Sequence, residues 1–276
     1  MIISVITINY NNRDGLLKTI RSVISQTWRS VEFIIIDGGS TDGSVEIIKQ
    51  YINDIDFWVS EPDKGIYHAM NKGIDQAHGE YCLFLNSGDI LHDNKVLERI
   101  IGDLTTDVVI GAIKKATSGY VKRLNLREPL ALLDFWFENP IPHQSTFIRR
   151  SVCARVRYDE SLRIAGDLKF FLQIIVMNGC SHRSSDCIVA DFDETGISSQ
   201  QGADEEWLKI FADILPPYIF ADYQKLLHRN YDSFYAKLRL RKYYKIIYTL
   251  SVLGVRLISV FRPTARFVKK FPYLLR

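Results

Sequence analysis

Apolar positions along the chain switch repeatedly between two spacings. Ile2 to Ile8 is a β-branched run that gives way to the polar stretch Asn9-Tyr10-Asn11-Asn12, after which Leu16, Leu17, Ile20, Val23 and Ile24 recur at helical spacing. Val31 to Ile36 repeats the design. It is an apolar strand that stops at Asp37, followed by Gly38-Gly39-Ser40-Thr41-Asp42 and a short helix carrying Val45, Ile47 and Ile48. Phe57 to Val59 predicts a third, short strand, and Ile66, Ala69, Met70, Gly73, Ile74 and Ala77 mark one face of the next helix. Tyr81 to Leu85 carries no charge and lies between Gly79 and Gly88, the pattern of a strand covered on both faces, and it breaks off into Asn86-Ser87-Gly88-Asp89.

Strands alternating with helices imply right-handed crossovers and a mainly parallel sheet. The polar strand tips then emerge on one edge, beyond the carboxyl ends of the strands, where open α/β sheets bind ligands. A carboxylate there, such as Asp89, is placed to hold a divalent cation. A cation that bridges a diphosphate needs few protein oxygens, because phosphate and water fill most of its shell. Asn, Ser, Gly and Asp also make ordinary turns, so this stretch read alone leaves both readings open.

Four motifs stand in order: Val5-Ile-Thr-Ile-Asn-Tyr-Asn11, Ile36-Asp-Gly-Gly-Ser-Thr-Asp42, Gly65-Ile-Tyr-His-Ala-Met-Asn-Lys-Gly-Ile74 and Phe84-Leu-Asn-Ser-Gly-Asp89. Together they resemble the family 2 glycosyltransferases of the GT-A fold. The resemblance continues through Pro142-His-Gln-Ser-Thr-Phe-Ile148 and Ile164-Ala-Gly-Asp-Leu168 and fades beyond roughly residue 200. It implies an α/β nucleotide-diphospho-sugar transferase fold with a mainly parallel central sheet flanked by helices.

Carried over residue by residue, the resemblance implies that Asn9 and Tyr10 pack on the nucleotide base, where a tyrosine ring stacks on uracil at little entropic cost. Asp37 takes the place of the acid that accepts from base N–H or ribose hydroxyl groups. Asp63 and Asn71 line the donor cleft, and Asn86 and Ser87 lie beside the donor. Asp89 aligns with the last acid of the metal motif, with Mn2+ or Mg2+ the implied cofactor. Asn86 departs from the pattern, since many members carry a second Asp there. His68 is another departure, at a position where an acid is commoner.

Asp167, in Arg163-Ile-Ala-Gly-Asp-Leu-Lys-Phe-Phe171, occupies the family's general-base position, often a Glu-Asp pair; here Gly166 replaces the first acid. A sugar hydroxyl does not ionise at neutral pH, so a carboxylate beside it helps as the proton leaves, worth roughly 10²- to 10⁴-fold. One base and one metal fit a single displacement with inversion. Retention would call for a nucleophilic carboxylate about 5 Å from the acid/base group, and the sequence identifies no such second residue. Read locally, Asp167 is equally a first-turn or N-cap acid favoured by the helix dipole. His143, between prolines in Asn139-Pro-Ile-Pro-His-Gln144, is placed to meet a phosphate or an acceptor hydroxyl, or to serve structure alone. Asp191 to Gln200 is polar and long enough for a lid, though an ordinary solvated loop fits as well.

With 276 residues, 47% of them hydrophobic, the chain can bury one substantial α/β domain with some left over. Cys82, Cys153, Cys180 and Cys187 form no C-x-x-C pair and sit in or beside apolar runs, as small hydrophobes of a reducing compartment do. Met1 leads straight into the first strand without a basic start or cleavage site, which predicts a cytoplasmic protein.

The net charge of +3 hides an asymmetry: residues 225–276 hold thirteen Lys or Arg against the single acid Asp232, a charge of +12, which leaves −9 for residues 1–224. The division expected is therefore a catalytic domain over 1–224 and a basic, amphipathic, helical extension over 225–276. The longest uncharged run of the extension, Ile246 to Val255, is ten residues, half of the about twenty that span a bilayer. At about 100° per residue, Lys237, Arg241, Lys245 and Arg256 gather on one side of a helix, with Arg239 and Lys242 off the stripe, the arrangement of a segment lying on anionic lipid. Nucleic acid is the competing partner of a basic segment, yet no recognised nucleic-acid module is present; a plain helix packed on the domain is the other reading.

The function expected is transfer of a sugar from a nucleoside-diphosphate sugar, a UDP-sugar first, to a glycan or polyprenyl-linked acceptor in surface polysaccharide synthesis, at the inner face of the cytoplasmic membrane. A sugar-phosphate nucleotidyltransferase would share the sheet but calls for a glycine- and arginine-rich loop where this chain has Asn9 to Asn12. A catalytically silent relative that recruits membrane partners is a further alternative, given Asn86 and Gly166. A dinucleotide-dependent oxidoreductase lacks its G-x-G-x-x-G after the first strand.

Overall fold

A computed structural model describes residues 2–123, 130–137, 141–193 and 203–228. The predicted alternation of strand and helix is present through residue 84: β1 (Ile3–Asn9), α1 (Arg13–Ile24), β2 (Val31–Asp37), α2 (Ser44–Gln50), β3 (Phe57–Ser60), α3 (Ile66–Gln76) and β4 (Tyr81–Phe84). Neighbours in the order β3-β2-β1-β4 run parallel. Side chains alternate across this sheet with period two. Ile3, Val5, Phe33, Ile35, Tyr81 and Leu83 join Leu16, Ile20 and Val23 of α1 and Ile47 and Ile48 of α2 in one buried cluster. Ile6, Ile34 and Ile36, from the alternate positions, are also fully buried. Burial on both faces explains why these strands read as continuous apolar runs.

The second half of the sheet is mixed. Beyond β4 come β8 (Thr146–Arg149), antiparallel to it, then β6 (Val108–Lys115), β9 (His182–Phe192) and β5 (Ile90–Leu91), with β7 (Val121–Lys122) paired to β6. β6 and β9 are parallel, whereas β6 with β8 and β5 with β9 are antiparallel. The parallel expectation thus holds throughout β1 to β4, while beyond β4 only the β6–β9 pair is parallel. Helices of this half include α4 (Val96–Ile100), α5 (Leu132–Phe137), α6 (Arg150–Arg155) and α7 (Gly166–Phe171), the last continuing as a π-helical stretch, Leu172–Met177.

Two further helices follow, α8 (Ala203–Ile214) and α9 (Pro217–His228), and contacts divide the chain into Met1–Ile210 and Phe211–Arg276. The boundary expected at 224/225 falls inside α9. The supposed lid beyond residue 193 and nearly all of the basic extension, from residue 229, lie outside the described residues. Among the described residues no helix is long and apolar enough to cross a membrane, and the four cysteines are free.

Candidate active site

Parallel register sets Asn9 beside Asp37 and Asp37 beside Ser60 at the carboxyl edge of the sheet. Asp37 is fully buried. Its Oδ1 accepts from Asn9 Nδ2 at 2.6 Å and Ser40 Oγ at 2.6 Å, and its Oδ2 accepts from Ser60 Oγ at 2.6 Å and the Ser40 amide at 2.9 Å. Burial pushes the carboxyl up, but the bonds from Ser40, Ser60 and Asn9 together outweigh it and hold Asp37 below the usual carboxylate range. A carboxylate has about four lone-pair sites, and all four here face protein donors.

Above this buried group, Tyr10 is 69% exposed. A Cβ added to Gly38 would lie 3.1 Å from Asp63 Oδ2 and 3.2 Å from Tyr10 Cδ2, so the missing side chain lets the Asp63 carboxylate and the Tyr10 ring close in on residue 38. Asp63 Oδ1 pairs with Lys72 Nζ at 2.7 Å and His68 Nδ1 at 3.2 Å. The departure at His68 thus supplies a partner for Asp63. Asn71 turns elsewhere: its Nδ2 donates to the Tyr158 carbonyl at 3.0 Å and Glu160 Oε1 at 2.9 Å, and its Oδ1 accepts from the Tyr158 amide at 3.0 Å. Its amide ties α3 to the segment ahead of α7 instead of lining an open cleft.

The tips of β1 and β4 are joined by hydrogen bonds from the Ser87 amide to the Ile8 carbonyl at 3.1 Å and from Asn12 Nδ2 to the Ser87 carbonyl at 3.0 Å. Asp89 lies just beyond, 4% exposed. Its Oδ1 accepts from the Asp193 amide at 2.9 Å. Burial pushes its carboxyl up to about 7, against the Asp193 amide, the nearby His143 and a hydrogen bond from Gln144, while the Asp193 charge adds to the rise. Gly88 has φ +106°, and an added Cβ would meet Asp193 Oδ2 at 2.9 Å, so the end of β9 rests on this turn.

His143 and Gln144 belong to a 3₁₀ turn (His143–Ser145) leading into β8. Asn86 Nδ2 lies 3.3 Å from His143 Nε2, and His143 Nδ1 lies 3.7 Å from Asp167 Oδ2. With Asn86 donating, the imidazole proton sits on Nδ1, toward Asp167. Asp167 is in the first turn of α7, where its Oδ1 accepts from the Leu168 amide at 2.8 Å; the local reading as a helix-start acid therefore coexists with Oδ2 facing His143. Asn86, Asp89, His143 and Asp167, spread over 82 positions of sequence, meet through one turn. Three buried atoms at these tips have no hydrogen-bond partner among the described residues: Asn9 Oδ1, Asn86 Oδ1 and Ser87 Oγ. Buried polar atoms are normally paired, so such a cluster points to a polar ligand. No group of three or more His, Cys, Asp or Glu suited to a metal occurs among the described residues.

Residues 4–159 match the family model described as Glycosyl transferase family 2. The chain belongs to glycosyltransferase family 2. It is 32% identical over 240 residues, 83% of this chain and 85% of the relative, to an uncharacterised glycosyltransferase of Mycobacterium tuberculosis. It is 30% identical over 198 residues, 68% of this chain and 75% of the relative, to a PGL/p-HBAD biosynthesis glycosyltransferase of Mycobacterium bovis. The fold is similar to that of Staphylococcus aureus TarS 1-349 in complex with UDP-GlcNAc, with TM-score 0.65 at 19% identity over 86% of this chain and 74% of that one. It spans 44% of a longer TarS chain. Glucosyl-3-phosphoglycerate synthase of M. tuberculosis, solved with Mn2+ and UDP, gives TM-score 0.57 at 14% identity over 77% of this chain and 79% of that one.

Membership of glycosyltransferase family 2 removes the nucleotidyltransferase and oxidoreductase alternatives. Two contributors to this glycosyltransferase's site escape a sequence reading. Gln144 reaches Asp89 only because the 3₁₀ turn aims it inward, and Asp193 reaches it only because β9 crosses beside β5. Asp193 lies in the polar stretch first read as a lid, the one signal that could have drawn attention to it.

Proposed function

We propose that this glycosyltransferase moves a sugar with inversion from a UDP-sugar to a hydroxyl of a glycan or polyprenyl-linked acceptor, with a divalent cation at Asp89 and Asp167 as general base. The meeting of Asn86, Asp89, His143 and Asp167 at one sheet edge carries this reading. Tyr10 stacks on the base, and Asp63, whose Oδ2 lies beside Gly38 and the Tyr10 ring, accepts from base or ribose in place of the enclosed Asp37. The donor set fits a hard cation: Asp89 is a buried carboxyl short of counter-charge, and Asn86 Oδ1 is an unpaired oxygen. A cation held there would neutralise charge on the departing diphosphate.

On the acceptor side, the hydroxyl oxygen forms its bond to the sugar's anomeric carbon as the bond from that carbon to the diphosphate oxygen breaks. The hydroxyl proton passes to the Asp167 carboxylate, and UDP leaves as the diphosphate. His143, with Nδ1 toward Asp167 Oδ2, orients the carboxylate. Asp167→Asn keeps the shape and removes the base, so UDP release from a panel of UDP-sugars should fall about 10²- to 10⁴-fold while UDP affinity by calorimetry stays within about twofold. Full turnover by that variant would remove Asp167 from this role.

Residues 225–276 hold the enzyme on anionic lipid, where a polyprenyl-linked acceptor resides. Their Lys and Arg excess supports this reading. Truncation after residue 224 should release the protein from liposomes containing phosphatidylglycerol; unchanged co-sedimentation would defeat it.

A further inference from the structure

Asp167 stands in the first turn of α7, which runs on into a π-helical stretch, Leu172–Met177, and whose N-cap, Ala165, offers no side-chain hydrogen bond. A helix start leaves backbone groups that the helix itself does not satisfy, and with no cap from Ala165 the contacts here come from outside the helix. Two side chains from distant parts of the chain grip the peptides just ahead of it. Glu206, on α8, takes three successive amides: Oε1 accepts from Arg163 N at 2.7 Å, and Oε2 accepts from Ile164 N and Ala165 N, each at 2.8 Å. From α3, Tyr67 Oη donates to the Ile164 carbonyl at 2.6 Å. Ile164 is therefore held at both its amide and its carbonyl.

The aromatic side of this grip is rigid. Tyr67 is 5% exposed, and burial pushes its hydroxyl far above the usual range, which keeps it a donor. Its ring stacks on Tyr158 with centroids 5.6 Å apart, and Tyr158 stacks on Phe170 of α7 at 4.3 Å. The ring also covers Gly166: an added Cβ would come 2.6 Å from Tyr67 Cε2. Glycine at 166 is thus the residue that lets the ring close on the peptide before Asp167.

We propose that Glu206 and Tyr67 are positioning residues that fix Asp167 for proton abstraction, acting through the Ile164 peptide without touching substrate. The inference rests on the reading of Asp167 as the base. Displacing a reacting group by about 1 Å costs on the order of 10²-fold in rate, which sets the scale expected when the grip is released.

The test pairs kinetics with amide exchange on the full chain. With a UDP-sugar the wild type turns over, Glu206→Ala should lower the rate of UDP release ten- to a hundredfold with the donor KM within twofold. Glu206→Gln, which keeps one acceptor oxygen, and Tyr67→Phe should each lose about three- to tenfold. In an Asp167→Asn background, Glu206→Ala should change the residual rate less than twofold, because there is no base left to misplace. Amides 163–165 should exchange at least tenfold faster in Glu206→Ala, with β1 and β2 unaffected. Unchanged turnover in Glu206→Ala, an equal further loss in the Asp167→Asn background, or undisturbed exchange at 163–165 would each overturn the proposal. Failure of the underlying assignment looks different: Asp167→Asn would itself turn over at the wild-type rate.

Discussion

Asp37 and Asp89 both follow apolar parallel strands at the same edge of the sheet, and both are buried, at 0% and 4% exposure. Around Asp37 stand four protein donors, which hold its carboxyl below the usual range despite burial. Around Asp89 the donors are too few, and burial wins, carrying it up to about 7. The same motif design therefore yields an internal brace at one strand tip and an under-satisfied carboxyl at the other. The number of hydrogen-bond donors facing a buried acid separates the two: Ser40, just after β2, and Ser60, at the end of β3, join Asn9 in donating to Asp37, whereas the Asp193 amide and Gln144 donate to Asp89.

The sharpest way to break this contrast is Asp89→Asn. Transfer should fall at least about 10³-fold if the charge serves chemistry, measured as UDP release. Stability should move the other way. The folded carboxyl titrates near 7 against 3.8 for the ordinary group, so its contribution to stability is fully present below about pH 4 and lost as pH rises through 7. The loss has a ceiling of about 4 kcal/mol. Urea denaturation should show the substituted protein gaining on the wild type between pH 5 and pH 8; a parallel pair of curves would defeat the contrast.

Asp37→Asn should do the reverse. It leaves Ser40 or Ser60 without an acceptor, which costs about 1–3 kcal/mol by the same denaturation experiment at pH 7, while nucleotide affinity in the surviving folded fraction changes little. A loss of UDP binding with full stability would place Asp37 back in direct contact with the donor.

The smallest effect serves as a control for both. Asp159 is held down to about 2 by the bond from Lys169 Nζ at 2.5 Å, with Ser161 contributing and burial opposing. A depressed carboxyl stabilises above its ordinary 3.8 and loses that contribution as pH falls through 2. The pair is partly exposed, which reduces its worth to about 1 kcal/mol. Lys169→Met should lower stability by that amount at pH 7 and flatten the acid limb between pH 4 and 2, without the opposite slope expected for Asp89→Asn.

The first half of the fold was legible because its strands are buried on both faces and its helices carry one apolar stripe, so Ile3–Asn9 through Tyr81–Phe84 appear as periodic runs. The mixed half was not, because β5, β7 and β8 are two to four residues long, and β5 and β8 take their partners from distant sequence. Site residues followed the same division. Asp89, Asn86, His143 and Asp167 are named by the family motifs and do converge. The engagement of Asp37 and Asn71 was hidden, since it depends on which loop folds over each side chain. Glu206 sits in an acidic run, Asp204-Glu205-Glu206, that reads as a solvated helix start.

The strand β9 carries a practical lesson. The family match ends at residue 159, yet β9 runs from His182 to Phe192, pairs with both β6 and β5, and delivers the Asp193 amide to Asp89. A fragment cut where the match ends would strip β6 of a neighbour, leave β5 without its partner strand and lose α7 with Asp167. Anyone trimming this protein for crystallisation or fusion by the limits of its recognisable motif would discard Asp167 and the Asp193 amide and bare the sheet edge that β9 covers.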